Sequence, residues 1–183
     1  PRFSFYTPGR VCAAFIHDSS AAASKWVYSH EYGRHILENF TDGQVRTLSY
    51  ENVRTDGEVD QAVEDAVRRG ANVIFTTTPK LLLSSVRQAA LHPDVKILNC
   101  SLNTSYPSVR TYYPRLYGAK FIKGAIAGTL TRDGCIGYVA DYPTYGSIAS
   151  INAFAQGARM VNANARIYLD WAHLRDGGAV GRL

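Results

Sequence analysis

The stretch that decides the fold runs from Glu51 to Thr78, ENVRTDGEVDQAVEDAVRRGANVIFTTT. Thr55 followed three residues later by Glu58 is the pattern of a helix start in which each side chain satisfies the other residue's backbone N–H. Val59, Ala62, Val63, Ala66 and Val67 then recur at i, i+3, i+4, i+7 and i+8, one apolar stripe on one helix face. Gly70 offers the left-handed conformation that ends a helix. Val73-Ile74-Phe75 is a short unbroken apolar run, as in a parallel strand covered on both faces. It stops in Thr76-Thr77-Thr78-Pro79, and open α/β sheets hold their ligands at the carboxyl ends of strands.

Working outward, the same alternation continues in both directions. Val11 to His17 is an apolar first strand, followed by small residues and a helix from about Ser24 to Asn39. Val45 to Tyr50 is the second strand. Pro79 opens the next helix, where its missing N–H costs nothing, and His92-Pro93-Asp94 stops it. Val95 to Asn99 is a strand, Cys100 to Ser108 a polar loop, and Val109 to Tyr113 a short extended piece. A helix after Pro114 runs to about Thr131, Cys135 to Ala140 is a strand, Asp141 to Gly146 a loop and Ser147 to Val161 a helix. Ala165 to His173 is the last strand. Strand and helix alternating throughout define an α/β fold with a mainly parallel sheet. Five strands precede the Pro114 helix, and the two after it read as the opening of a second sheet. The expected organisation is a leader or linker over 1–10, a first α/β lobe with its crossover helix over 11–131, and the start of a second lobe over 132–183. The chain reads as truncated.

Length and composition bound the function. At 183 residues with 46% apolar and 19% charged residues, the chain buries a sizeable core and is not of disordered composition. Net charge is +5 and pI about 9.2, but the basic residues are scattered singly or in pairs such as Arg68-Arg69, not gathered into a nucleic-acid-binding block. No apolar run approaches the roughly 18 residues of a membrane helix. The three cysteines, Cys12, Cys100 and Cys135, show no CxxC spacing and read as small buried hydrophobes.

Catalytic and metal motifs do not emerge. His30-Glu31-Tyr32-Gly33-Arg34-His35 resembles HExxH but is one residue too long; histidines five apart diverge by about 140° around a helix and cannot share a metal. There is no GxGxxG, P-loop lysine motif or GxSxG elbow. Asp60 and Glu64 read as surface carboxylates, Glu64 pairing with Arg68 at i+4. The chain is read as a non-enzyme with no cofactor. What does stand out is polar and aromatic residues after successive strands: Asp18-Ser19-Ser20, Thr77-Thr78, Asn99 and Ser101, Asp141-Tyr142. Such a rim suits a small polar ligand with a flat ring, although strand ends meet polar loops in any protein. Trp26 is either a core anchor or a stacking platform.

Several stretches together, WVYSHEYGR, YENV, ANVIFTTT, HPDVKIL, CIGYVADYP and INAFAQGARMVN, resemble the basic membrane protein family, the purine nucleoside receptor A-like substrate-binding lipoproteins of bacterial ABC importers. The resemblance runs from about Val11 to Trp171. It implies a type I periplasmic binding fold, two lobes with a ligand between them, and a chain longer than this one. It implies that Trp26 stacks on the ligand base, that Thr78 matches the serine ending the third strand, that Tyr142 is an aromatic of the second lobe, and that Asp18 contacts sugar or base. Ser19, Thr77 and Ser101 complete the candidate ligand-binding set. The sequence departs from the family's glycine-rich loop before Trp26, where it has SSAAASK, and has Pro79-Lys80 in place of an aromatic-glycine pair. The expected function is capture of a purine nucleoside or similar heterocycle, riboflavin included, for an ABC permease. The protein would then be extracytoplasmic, with any lipid anchor outside this chain and no nucleic-acid partner. The alternative is a ligand-sensing regulatory module on the same fold, cytoplasmic and not coupled to transport.

Overall fold

The computed structural model describes residues 11–101, 106–140 and 145–172. The expected leader over 1–10, Asp141 and Tyr142, and His173 with the tail after it lie outside the described residues.

The Thr55–Thr78 unit folds as its sequence dictates. Thr55 accepts a bond from the Glu58 N–H while Glu58 Oε2 accepts the Thr55 N–H at 2.9 Å, opening helix α2 (Asp56–Arg68). Val59, Ala62, Val63 and Ala66 are its buried face. Gly70 adopts φ +90°, which a side chain would strain, and turns the chain into strand β3 (Val73–Thr76). Around it lie β1 (Val11–Ile16), α1 (Lys25–Phe40), β2 (Val45–Tyr50), a 3-10 turn (Pro79–Leu81), α3 (Leu82–Leu91), β4 (Lys96–Cys100) and β5 (Val109–Tyr112).

The five strands form one parallel sheet in the order β2-β1-β3-β4-β5, with Val11 opposite Val45, Ala13 opposite Val73, Val73 opposite Lys96 and Ile97 opposite Val109. Side chains alternate across a strand, so Cys12, Ala14 and Ile16 share one face with Ile74 and Ile97 and pack beneath α2 and α3. The opposite face of β1, with Phe15 and His17, lies under α1. Because β2 and β3 flank β1 on either side and their helices cover opposite faces, the segments leaving β1 and β3 diverge at the carboxyl rim. That divergence is the switch point where such sheets take ligands.

The remaining elements form a separate compact unit, the division falling between Tyr113 and Pro114. It holds α4 (Tyr117–Leu130), β6 (Cys135–Ala140), α5 (Tyr145–Val161) and β7 (Arg166–Trp171), with β6 and β7 parallel in a two-stranded sheet. The restart of the sheet after Pro114 is therefore as the sequence indicates. The boundary differs: α4, counted with the first lobe up to 131, packs on α5. The two helices meet backbone to backbone, since a Cβ on Gly124 would stand 1.9 Å from the Phe154 carbonyl oxygen and one on Gly157 would stand 2.0 Å from that of Phe121.

Two surface expectations are corrected. Cys12 and Cys100 are buried, but Cys135 is exposed: Ile136 and Ala140 of β6 are buried, while Cys135, Gly137 and Val139 lie on a face uncovered among the described residues. Arg68 bonds Asp65 at 2.5 Å rather than Glu64, and Glu64 reaches His92 at the end of α3 at 3.0 Å. Asp60 likewise bonds Arg87 and Gln88 of α3. These carboxylates tie two helices together because α2 and α3 lie side by side on the same face. No helix among the described residues is long and apolar enough to cross a membrane.

Candidate ligand-binding site

Residues after β1 build the first wall of the rim. Asp18 and Ser19 are half-buried, and Ser20 O accepts the N–H groups of Ala23 and Ser24, so the small-residue loop closes as a turn. Ser24 then caps α1 by accepting from the Val27 N–H at 3.4 Å. The cap places Trp26 in the first helical turn, leaning over the ends of β1 and β3. Its indole N–H donates to the Thr77 carbonyl at 2.7 Å. The ring is half-buried, with His30 edge-on at 5.0 Å and Tyr113, at the end of β5, tilted beside it at 6.1 Å. Trp26 thus has one edge tied down and remains partly open to solvent.

The second wall comes from β3 and β4. Thr77 and Thr78, with 0% and 7% exposure, and Ser101, with 5%, are turned inward. Thr77 Oγ1 meets His17 Nδ1 at 2.9 Å, and Thr78 Oγ1 accepts the Lys80 N–H to open the 3-10 turn. Asn99, fully buried in β4, donates to Thr76 Oγ1 at 2.8 Å and to the Thr78 carbonyl at 2.9 Å. Lys80 Nζ stands 3.6 Å from Asp18 Oδ2, joining the two walls across the rim. The structure therefore brings Asp18, Ser19, Trp26, Thr77 and Thr78 into one neighbourhood. Ser101 follows β4 with its N–H donating to Asn99 O, and Tyr142 lies outside the described residues.

Two features of this region escape a reading of sequence alone. Tyr113 joins Trp26 only through the pairing of β5 with β4; its signal is the Tyr112-Tyr113-Pro114 end of an extended segment. The second feature is a buried polar cluster beneath the rim. His17 Nε2 stands 3.0 Å from Glu31 Oε1, which also accepts from Ser49 Oγ at 2.9 Å. Arg34 grips Glu31 through Nε and Nη2 at 2.8 to 3.1 Å and reaches Thr47 Oγ1 at 2.6 Å. The HEYGRH segment turns its Glu31 and Arg34 toward the sheet instead of solvent. Burial alone would raise the Glu31 pKa, but bonds from Arg34, Ser49 and His17 outweigh it and hold the carboxyl at about 2. Burial lowers the His17 pKa against the pull of Glu31.

The groups gathered at the rim suit recognition: a carboxylate at Asp18 and the half-buried Trp26 ring beside Tyr113. Both His17 ring nitrogens are engaged, and burial pushes the Cys100 thiol up to about 11, so it stays protonated at neutral pH. At the other end of the sheet a hollow of about 670 Å³, lined by Val11, Glu38, Arg46 and Gly70, shares no residue with the rim.

A parallel sheet of this order, with aromatic and polar groups at its carboxyl rim and a second sheet begun after it, defines the type I periplasmic binding fold. The same fold is found in an ABC transporter solute-binding protein from Conexibacter woesei, with a TM-score of 0.64 and 16% identity over 88% of this chain and 54% of that one. Residues 10–179 match the family of ABC transporter substrate-binding proteins described as PnrA-like, and the chain belongs to it. A purine-binding protein of Brucella abortus is 27% identical over 90% of this chain and 47% of its own length. A Haloferax volcanii protein named as an ABC transporter glucose-binding protein is 26% identical over 89% of this chain and 41% of its own. The chain thus spans about half the length of each of these three proteins.

Proposed function

We propose that this chain supplies the first ligand-binding lobe of an extracytoplasmic substrate-binding lipoprotein, which captures a purine nucleoside or a similar flat heterocycle for an ABC permease. The observation that carries the reading is the half-buried Trp26, edge-tied to Thr77 and flanked by Tyr113 at the rim. A ring fixed in this way loses little freedom when a flat ligand stacks on it. Asp18, held by Lys80, offers a carboxylate to ribose hydroxyls or base N–H groups, and Ser19 stands next to it. The kinship with a purine-binding protein supports the base; the kinship with a protein named as glucose-binding makes the sugar the feature to test against it.

Titration calorimetry of the full-length protein with inosine, guanosine, adenosine, riboflavin and glucose separates these ligands. One-to-one binding of a nucleoside is the expected result, and binding of glucose alone would overturn the heterocycle reading. Trp26→Ala should weaken nucleoside binding by about 1–3 kcal/mol, roughly five- to 150-fold. An unchanged dissociation constant would remove Trp26 from the site.

A further inference from the structure

We propose that His17 is the positioning residue for the Trp26 ring, acting through Thr77. The linkage has two buried bonds, Glu31 Oε1 to His17 Nε2 at 3.0 Å and His17 Nδ1 to Thr77 Oγ1 at 2.9 Å, and passes through the Thr77 residue to a part-buried one, from the Trp26 indole N–H to the Thr77 carbonyl at 2.7 Å. His17 and Thr77 are both fully buried. An apolar side chain would fill the position of His17 without the cost of desolvating an imidazole, so the group is there for its bonds. The relevance to ligand affinity rests on the proposed role of Trp26; the positioning itself does not.

The protonation logic makes the link durable. Ionised Glu31 can only accept, so His17 Nε2 carries a proton. In the neutral ring Nδ1 accepts the Thr77 hydroxyl. When the ring is charged, Nδ1–H donates to Thr77 Oγ1 and the hydroxyl turns to the Ile16 carbonyl 3.2 Å away. Every charge that bears on His17 is compatible with both states. From α1 it is faced by Glu31, backed by Arg34, and by His30 at 6.2 Å; from the segment after β2 by Glu51; Asp18 follows it in the chain. β2 and the residue after β3 contribute only hydroxyls, those of Thr47, Ser49 and Thr77, to the cluster. Thr77, and with it the carbonyl that Trp26 reads, is therefore held on both sides of the His17 titration.

The test uses the indole N–H resonance of Trp26 in the full-length protein, assigned by its loss in Trp26→Phe. His17→Asn retains a polar group at the Nδ1 position facing Thr77, and His17→Gln retains one at the Nε2 position facing Glu31. Solvent exchange of the Trp26 N–H should stay slow in the wild type from pH 5 to 8 and in His17→Asn, and should accelerate at least tenfold in His17→Gln. Thr77→Val, which removes the hydroxyl but not the carbonyl, should behave as His17→Gln and decides the question if the glutamine variant fails to fold. Equal acceleration in the Asn and Gln variants, or none in Gln and Val, overturns the proposal. Inosine affinity in the same variants should fall at least fivefold wherever exchange accelerates. Faster exchange with unchanged affinity upholds the positioning and overturns the placement of Trp26 against the ligand.

Discussion

Gly124→Val should destabilise the second unit severely. A Cβ at this position would stand 1.9 Å from the Phe154 carbonyl oxygen and 2.7 Å from its carbon, and neither is the end of a movable side chain. Gly157 on the facing helix meets Phe121 O at 2.0 Å and Gly128 meets Ala158 O at 2.5 Å, so the contact is a seam along both helices. Relief requires α4 and α5 to separate, which uncovers Phe154 and Ala158, the buried residues they place over β6 and β7. Overpacking where side chains can adjust costs about 1–3 kcal/mol, and here the backbones themselves must move, so a loss above about 3 kcal/mol is expected. Gly118→Ala, also in α4 but with open space around it, should be neutral or stabilising by roughly 0.5–1 kcal/mol. Urea unfolding of both variants followed by circular dichroism decides it; equal midpoints would refute the close approach.

The second large effect is expected at Glu31. Replacing it by Ala leaves Arg34, His17 and Ser49 without their common acceptor, and breaking a buried charged pair from one side costs about 3–5 kcal/mol. In the same network, Glu31 and His17 make the first unit sensitive to acid. Both groups have folded pKa values below their unfolded ones, so the unfolded chain binds more protons and stability is lost as pH falls. The loss begins as pH drops through 6.5, the ordinary value for His17, and deepens between 4.5 and about 2 as Glu31 is titrated. The Glu31 contribution, present above about pH 4.5, is on the order of 3 kcal/mol from a pKa depressed to about 2. Thermal melts of the Glu31→Ala protein and its parent from pH 7 to 3 should converge as pH falls; a constant gap would show that the carboxylate is not the source.

What the sequence makes legible is what local chemistry decides. Thr55 and Glu58, three apart and followed by an apolar run, are a local signature of a helix start, and the Val59-to-Ala66 stripe needs only a 3.6-residue period. The restart of the sheet is visible because strand and helix alternate without interruption. The illegible parts depend on packing between elements. Glu64 has Arg68 within reach along its own helix, yet bonds His92 because α3 lies alongside. Glu31 and Arg34 sit in a segment whose composition suits an exposed helix, and only the His17, Thr47 and Ser49 side chains opposite explain their inward turn. Gly124 and Gly128 stand four apart on one face of α4, but that they meet the backbone of α5 is settled only by the packing of the two helices. At the rim, Trp26 and Asp18 are nameable from the sequence, whereas Tyr113 requires the register of β5.

Helix α1 is inside out in its charges. Glu31 and Arg34 face the sheet, while Tyr28, Tyr32, Ile36 and Phe40, successively four residues apart, face away from it, with Phe40 87% exposed. Such a helix gains little from hydrophobic collapse, because the surface it presents to the sheet is mostly a set of polar partners that exist only once β1, β2 and β3 are in register. Its attachment therefore rests more on paired polar groups than on buried apolar surface, with Val27 the one fully buried apolar side chain it contributes among the described residues. Trp26 is carried by that helix, so the placing of its ring at the rim depends on the same polar pairs that hold α1 against the sheet.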